Sequence, residues 1–334
     1  MKSMRSVFAA WAGVLLLILN VQPLSAAESP VALSGTVTSA EEGAMEGVLV
    51  SAKKNGSNMT ITVVSDAKGN YRFPASKLEP GQYRVTIRAI GYDLDGRATA
   101  DVAAQKTASV DLKLRKTADL AAQMSNSEWL NSMPGTAQQK YTLLGCVGCH
   151  SLERIVRSKY DSDGFLATVQ RMSTYANQTT PLNPQKRLTT RDTEAVGEDR
   201  VRVQRTQADF LAGINLSQSA TWEYALKTLP RPKGKATQVV YTEYDLPRPT
   251  IEPHDVVLDP EGNAWYSNFG GQTLGKIDPK TGKHTEYPVP ELKKGSPVGA
   301  LSLRNDRDGN LWLGMMYQAG VAKFDRKTEK FQTW

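Results

Sequence analysis

The sequence predicts a multidomain chain built from a β-sandwich, a compact all-α domain and an incomplete β-propeller of about two blades. Three observations carry that prediction. Residues 31–114 alternate apolar and polar side chains in short runs broken by Gly, Asn and Pro, the period of strands and not of helices. Residues 117–228 lose that alternation and take helix-compatible spacing. From residue 239 the chain repeats itself: Asp259-Pro260-Glu261-Gly262-Asn263-Ala264-Trp265-Tyr266 returns as Asp306-Arg307-Asp308-Gly309-Asn310-Leu311-Trp312-Leu313. A repeat of several tens of residues, with turn chemistry between short strands, marks one propeller blade per copy.

A chain of 334 residues with 40% hydrophobic and 22% charged side chains has room for two or three domains. Disordered and fibrous classes are excluded by that balance. The net charge of +7 is scattered along the whole chain, so nucleic acid is not an expected partner. Lys2 and Arg5 precede the apolar residues 7–19, and Ser25-Ala26-Ala27 supplies small residues for cleavage. This is the layout of a secretory signal peptide over residues 1–27, too short for an ordinary membrane span. The expected location is a bacterial periplasm.

Within the sandwich the expected strands are 33–38, 48–53, 60–65, 71–74, 83–89 and 108–114, paired antiparallel, with turns at Lys68-Gly69-Asn70 and Pro80-Gly81-Gln82. Tyr71, Phe73 and Tyr83 fall at alternating positions and read as core. The run Ser65-Asp66-Ala67-Lys68-Gly69-Asn70-Tyr71-Arg72-Phe73, with Pro80-Gly81-Gln82-Tyr83-Arg84-Val85 and Gly91-Tyr92, resembles the carboxypeptidase-regulatory-like domains. That resemblance implies a transthyretin-like or carbohydrate-binding-like sandwich over residues 30–116. It also implies an accessory or adhesion role, no catalytic residue, and contact with carbohydrate or the cell envelope.

The helical stretch holds Cys146-Val147-Gly148-Cys149-His150, which contains both cysteines of the chain and one of its three histidines. This is the C-x-x-C-H pattern of covalent haem attachment. Two thiols three residues apart face one side of a turn, so both can bond one porphyrin while the next residue reaches the iron. A C-x-x-C pair also serves as a redox disulfide or half of a zinc site. Zinc requires further ligands at suitable spacing, and no second Cys or Cys/His pair exists. A thioredoxin-like site would sit in a βαβ pattern, whereas the flanks here look helical.

An all-α cytochrome-c-like domain is therefore expected over 117–228, with helices at 119–124 and 137–152, the second carrying the motif. Cys146 and Cys149 are the expected haem anchors and His150 the proximal iron ligand. Asp161-Ser162-Asp163 offers N-cap chemistry for a helix to about residue 177, on which Phe165, Val169 and Met172 share a face. Met172 is the first candidate for the distal ligand; Met124, Met133 and an open position are the alternatives. Methionine–histidine ligation suits electron transfer, and an open position suits small-ligand or peroxide chemistry. A helix at about 206–215 and a Pro- and Lys-rich linker at 229–238 complete the region.

Beyond the linker, Glu243-Tyr244-Asp245-Leu246-Pro247, Pro253-His254-Asp255-Val256-Val257, the Gly262-Asn263-x-Trp265 turn and Ile277-Asp278-Pro279-Lys280-Thr281-Gly282 are similar to the streptogramin B (virginiamycin B) lyase family. The resemblance implies lyase-like blades over 239–334. Lyases of that family use histidine and glutamate with magnesium on later blades, so magnesium is implied only for a completed propeller. His254 and His284 match no catalytic position and read as turn or strand residues. Two blades cannot close a ring. The chain is thus expected to be the N-terminal part of a longer protein, or to be completed by other chains.

The expected function is that of an exported c-type cytochrome with one covalent haem c per chain, passing single electrons to periplasmic redox partner proteins. Two alternatives stand beside it. One is a lyase-like propeller enzyme, a C–O lyase carrying a haem appendage, and the other is a haem-based binding or sensing protein of the envelope.

Overall fold

The computed structural model describes residues 30–187 and 197–334; the expected signal peptide at 1–27 lies outside them. The first strands are β1 (Val31–Ser39), β2 (Gly43–Ala44), β3 (Leu49–Lys54), β4 (Met59–Val64), β5 (Asn70–Pro74) and β6 (Gly81–Arg88). They are followed by β7 (Tyr92–Leu94), β8 (Ala98–Val102), β9 (Ala108–Ser109) and β10 (Leu112–Lys116). One sheet runs β2-β1-β10-β7, with β5 and β9 also on β1. In the other, β4, β3, β6 and β8 lie side by side.

Alternation decides which side chains meet between the sheets. Tyr83 and Val85 of β6 point in and are buried, while Arg84 and Thr86 point out. Leu33, Val37, Val50 and Phe73 are fully buried in this core. Pairing is not wholly antiparallel as expected: β1 runs parallel to both β9 and β10. The turn before β5 has a clear physical basis. Asp66 Oδ1 accepts from the backbone N–H of Lys68 and of Asn70, each at 2.8 Å. Gly69 takes φ +76°, and a Cβ there would lie 2.6 Å from the Val37 carbonyl oxygen, so glycine is required.

The middle of the chain corrects the expectation of an all-α cytochrome-c-like domain. The structure is mostly β, and its described residues contain five helices: α1 (Asn126–Ser132), α2 (Ala137–Thr142), α3 (Glu153–Val156), α4 (Ser162–Met172) and α5 (Glu198–Ile214). The expected helix at 137–152 breaks after Thr142 into a 3₁₀ turn, Leu143–Gly145, and then open turns through the motif. Gly145, Val147 and Gly148 all have poor helix propensity, which accounts for the break. The expected helix at 119–124 is a single 3₁₀ turn, Ala121–Gln123. Asp161 does cap α4, its Oδ1 accepting from Gly164 N at 2.8 Å, but the helix stops at Met172.

A small apolar cluster holds these pieces together. Trp129, Leu143, Leu152, Val156, Phe165 and Leu211 are among its buried members. Trp129 is fully buried and meets Trp222 edge to face, ring centroids 4.9 Å apart. α1 begins with a capping box, in which Ser125 Oγ accepts from Glu128 N and the Glu128 carboxylate accepts from Ser125 N. The same carboxylate accepts from Leu229 N at 2.8 Å, drawing the distant 229 segment onto the helix. Ser125→Ala is expected to cost about 1 kcal/mol, read as a lower urea midpoint at unchanged m-value.

The strand expected to begin the propeller belongs elsewhere. β11 (Val240–Tyr244) pairs antiparallel with β4 and becomes the edge of the second sandwich sheet. The repeat then builds two four-stranded antiparallel sheets. The first comprises β12 (Pro253–Leu258), β13 (Ala264–Asn268), β14 (Thr273–Ile277) and β15 (His284–Pro288). The second comprises β16 (Leu303–Asn305), β17 (Leu311–Met315), β18 (Gly320–Asp325) and β19 (Lys330–Thr333).

The repeated D-x-x-G-N-x-W run is explained by one carboxylate in each sheet. Asp259 Oδ2 accepts from Trp265 Nε1 at 2.8 Å and Asn263 Nδ2 at 2.9 Å; Asp306 Oδ2 accepts from Trp312 Nε1 and Asn310 Nδ2, each at 2.9 Å. Burial alone would raise the Asp259 carboxyl, but these donors and nearby Arg326 outweigh it and hold it below the usual range. A depressed carboxylate stabilises the fold above its unfolded pKa of about 4 and loses that contribution as pH falls through the folded value. Asp259→Asn is therefore expected to flatten the acid limb of unfolding followed by tryptophan fluorescence below about pH 4.

Candidate haem-binding site

Cys146 to His150 form a turn pinned at both ends. Upstream, Leu143 is fully buried; downstream, Leu152 is fully buried and its N–H donates to Asn126 Oδ1 of α1 at 2.8 Å. Within the turn, Cys149 N donates to Cys146 O at 3.2 Å and His150 N to the same oxygen at 3.3 Å. A bond from residue i+3 to residue i brings those two side chains over one another. The geometry expected of a helix at Cys146 and Cys149 is thus kept by a single turn without one.

Both cysteines are free thiols and half-buried. Cys146 and Val147 pack against the Trp129 cluster. Burial pushes the Cys146 thiol up, and the neighbouring Cys149 adds to the effect. Burial, and then the carboxylate of Glu252, push the Cys149 thiol up as well. Glu252 stands just before β12, so the start of the first repeat sheet faces the turn. Burial raises the Glu252 carboxyl in turn. Neither thiol is activated as a thiolate, unlike those of dithiol redox catalysts.

His150 is half-buried, and its Nδ1 lies 3.0 Å from the Ser151 carbonyl oxygen. That contact assigns the ring proton to Nδ1 and leaves the lone pair on Nε2, the arrangement usual for a metal-bound imidazole. Met172 sits on the last turn of α4, 39% exposed and outside the Trp129 cluster. Met124 and Met133 are both buried inside that cluster. The three motif residues share one hydrogen-bonded turn, and Met172 lies outside the cluster against which that turn rests.

The donor set fits a covalently held haem. It offers two free thiols on one side of a turn and an imidazole with Nε2 unengaged. Trp129 adds a buried indole N–H with no acceptor among the described residues, a donor that a porphyrin carboxylate would satisfy. Among the described residues no three His, Cys, Asp or Glu side chains form a metal-holding group; a haem iron asks for only one or two protein ligands. Trp129, Asn126 and Glu252 were not singled out by the sequence. Only the capping-box pattern Ser125-x-x-Glu128 ahead of Trp129 could have flagged that helix.

Of the other histidines, His284 Nε2 is engaged by the Tyr266 hydroxyl and burial lowers its pKa. His254 Nδ1 contacts Asp255 Oδ1 at 2.9 Å, and the same carboxylate is held by Leu303 N and Arg304. Both belong to the framework of the two repeat sheets.

Residues 32–115 match the carboxypeptidase regulatory-like domain family. The N-terminal sandwich is such a domain. Similar solved structures include virginiamycin B lyase from Staphylococcus aureus, with 18% identity over 29% of this chain and 30% of that one, TM-score 0.25. A streptogramin B lyase gives 17% identity over 30% of this chain and 31% of that one, TM-score 0.25. The 5-hydroxyisourate hydrolase of Klebsiella pneumoniae gives 22% identity over 26% of this chain and 97% of that one, TM-score 0.19. The chain spans under a third of the lyases it resembles, and the likeness is weak. The comparison with curated proteins gives no match.

Proposed function

We propose that this chain is an exported c-type haem protein that carries single electrons, with one haem bound covalently at Cys146 and Cys149 and ligated by His150. The carrying observation is the pinned turn, which presents two free thiols together and an imidazole whose Nδ1 is tied to the Ser151 carbonyl. Each cysteine would form a thioether, its sulfur bonding one carbon of a porphyrin vinyl group while the thiol proton passes to the other. His150 would give its Nε2 lone pair to the metal, and the Nδ1–H···O contact would hold the ring and raise its basicity. The packed side chains beneath Cys146 keep water from one side, and Trp129 supplies a fixed donor. When bound, the haem supplies an iron that takes up and returns one electron.

Met172 is the distal ligand of this reading, because its thioether is exposed on a helix end while those of Met124 and Met133 are committed to the core. Met172→Ala is expected to open the reduced haem to carbon monoxide and to lower the reduction potential, since a thioether ligand favours the reduced metal. The electron would pass to redox partner proteins of the periplasm. Glu252 acts on Cys149 from just before β12, so the start of the first repeat sheet borders the turn. The test is expression together with haem-maturation machinery, followed by a pyridine haemochrome spectrum. A c-type spectrum at one haem per chain is expected, and a colourless chain would overturn the reading.

A further inference from the structure

A cleft of about 1200 Å³ opens between the outer face of β6 and β8, the segment around β7 that joins them, the start of α1 and the 229–232 segment. Its floor carries Arg84 and Arg88, which share a face of β6 four residues apart, about 13 Å along the strand. Thr99 of β8 stands directly opposite Arg84. Arg97, two residues before Thr99, falls on that same face. All three arginines are exposed, and none has a hydrogen-bond or ion-pair partner among the described residues. The acids of the lining are already engaged: Glu128 accepts from Ser125 and Leu229, and Asp93 from Gln123. The fourth arginine, Arg231, is paired with Glu42. Three guanidinium groups in one concave site are thus left without an ion-pair partner among the described residues.

We propose that this cleft binds an acidic oligosaccharide, a hydroxyl-rich chain bearing spaced carboxylates. Guanidinium groups take carboxylates bidentately, and their wide spacing suits a chain charged at intervals. Thr86 lies between Arg84 and Arg88 along β6, and Thr99 and Asn55 line the same cleft; their hydroxyls and amide are partners for sugar hydroxyls. Leu229, Pro230 and Pro232 give the opposite wall apolar surface for the C–H faces of sugar rings. A concave site of this size encloses a chain segment and does not lie flat on a bilayer.

Calorimetric titration of the full-length chain with oligogalacturonate at low ionic strength is the test. Binding is expected, weakening as salt rises, and absent for a neutral galactan oligomer. Each of Arg84→Gln, Arg88→Gln and Arg97→Gln is expected to weaken it by about tenfold, the worth of one charge-assisted hydrogen bond. Oligogalacturonate is also expected to protect amides of β6, β8 and the 229–232 segment from hydrogen exchange in the unsubstituted chain, a readout independent of how any variant folds. The proposal is overturned by no binding, by equal binding of the neutral oligomer, by undiminished binding to the triple variant, by protection confined to other segments, or by tighter binding of poly-glutamate.

Discussion

Cys146→Ser combined with Cys149→Ser is expected to leave a folded chain from which all haem is lost on denaturation, where the unsubstituted chain keeps one per molecule. The substitution removes only the two sulfurs. Both side chains are half-buried, and the turn is held by backbone bonds and by Leu143 and Leu152 on either side. Serine is nearly isosteric and leaves those bonds untouched, so the cost in stability is expected to be about 1 kcal/mol, most of it at Cys146, which rests on the Trp129 cluster. Either single variant retains one sulfur and is expected to keep a fraction of the haem with a shifted haemochrome band. Denaturing electrophoresis followed by a peroxidase stain for haem reads all three.

Trp129→Ala carries the largest expected effect on stability. The side chain is fully buried, packs edge to face on Trp222, and lies in the cluster against which Cys146 and Val147 rest. Truncating a buried tryptophan costs about 3–5 kcal/mol through lost burial and the cavity left behind. Urea unfolding should show that loss, and haem yield should fall with it because the turn loses its support. Trp129→Phe separates the two roles. It keeps most of the ring but removes the indole N–H that lacks a partner. A haem that uses this donor then shows a changed reduction potential at a much smaller cost in stability.

What was legible in the sequence follows from the range of the interactions involved. The sandwich strands could be read because alternation is local, and the Asp66 turn because one carboxylate and Gly69 fix it within five residues. The repeat was visible because each Asp–Asn–Trp knot closes within seven residues. Pairing partners were not legible. The parallel alignment of β1 with β10 and the capture of β11 by the edge of β4 join residues far apart in sequence, where register depends on which edges remain open. The all-α domain failed for a related reason, since helix-compatible spacing around the motif gave way to Gly145, Val147 and Gly148. Of the candidate site, Cys146, Cys149 and His150 were readable as a motif. The Ser151 contact, the indole of Trp129 and the nearness of Glu252 emerge only once the chain is folded.

Intact-mass analysis of the matured chain after denaturation and thiol alkylation bears most directly on the haem assignment. The expected result is a mass increased by one haem, with neither Cys146 nor Cys149 alkylated. A chain without the haem increment, with two alkylated cysteines or a Cys146–Cys149 disulfide, would contradict it.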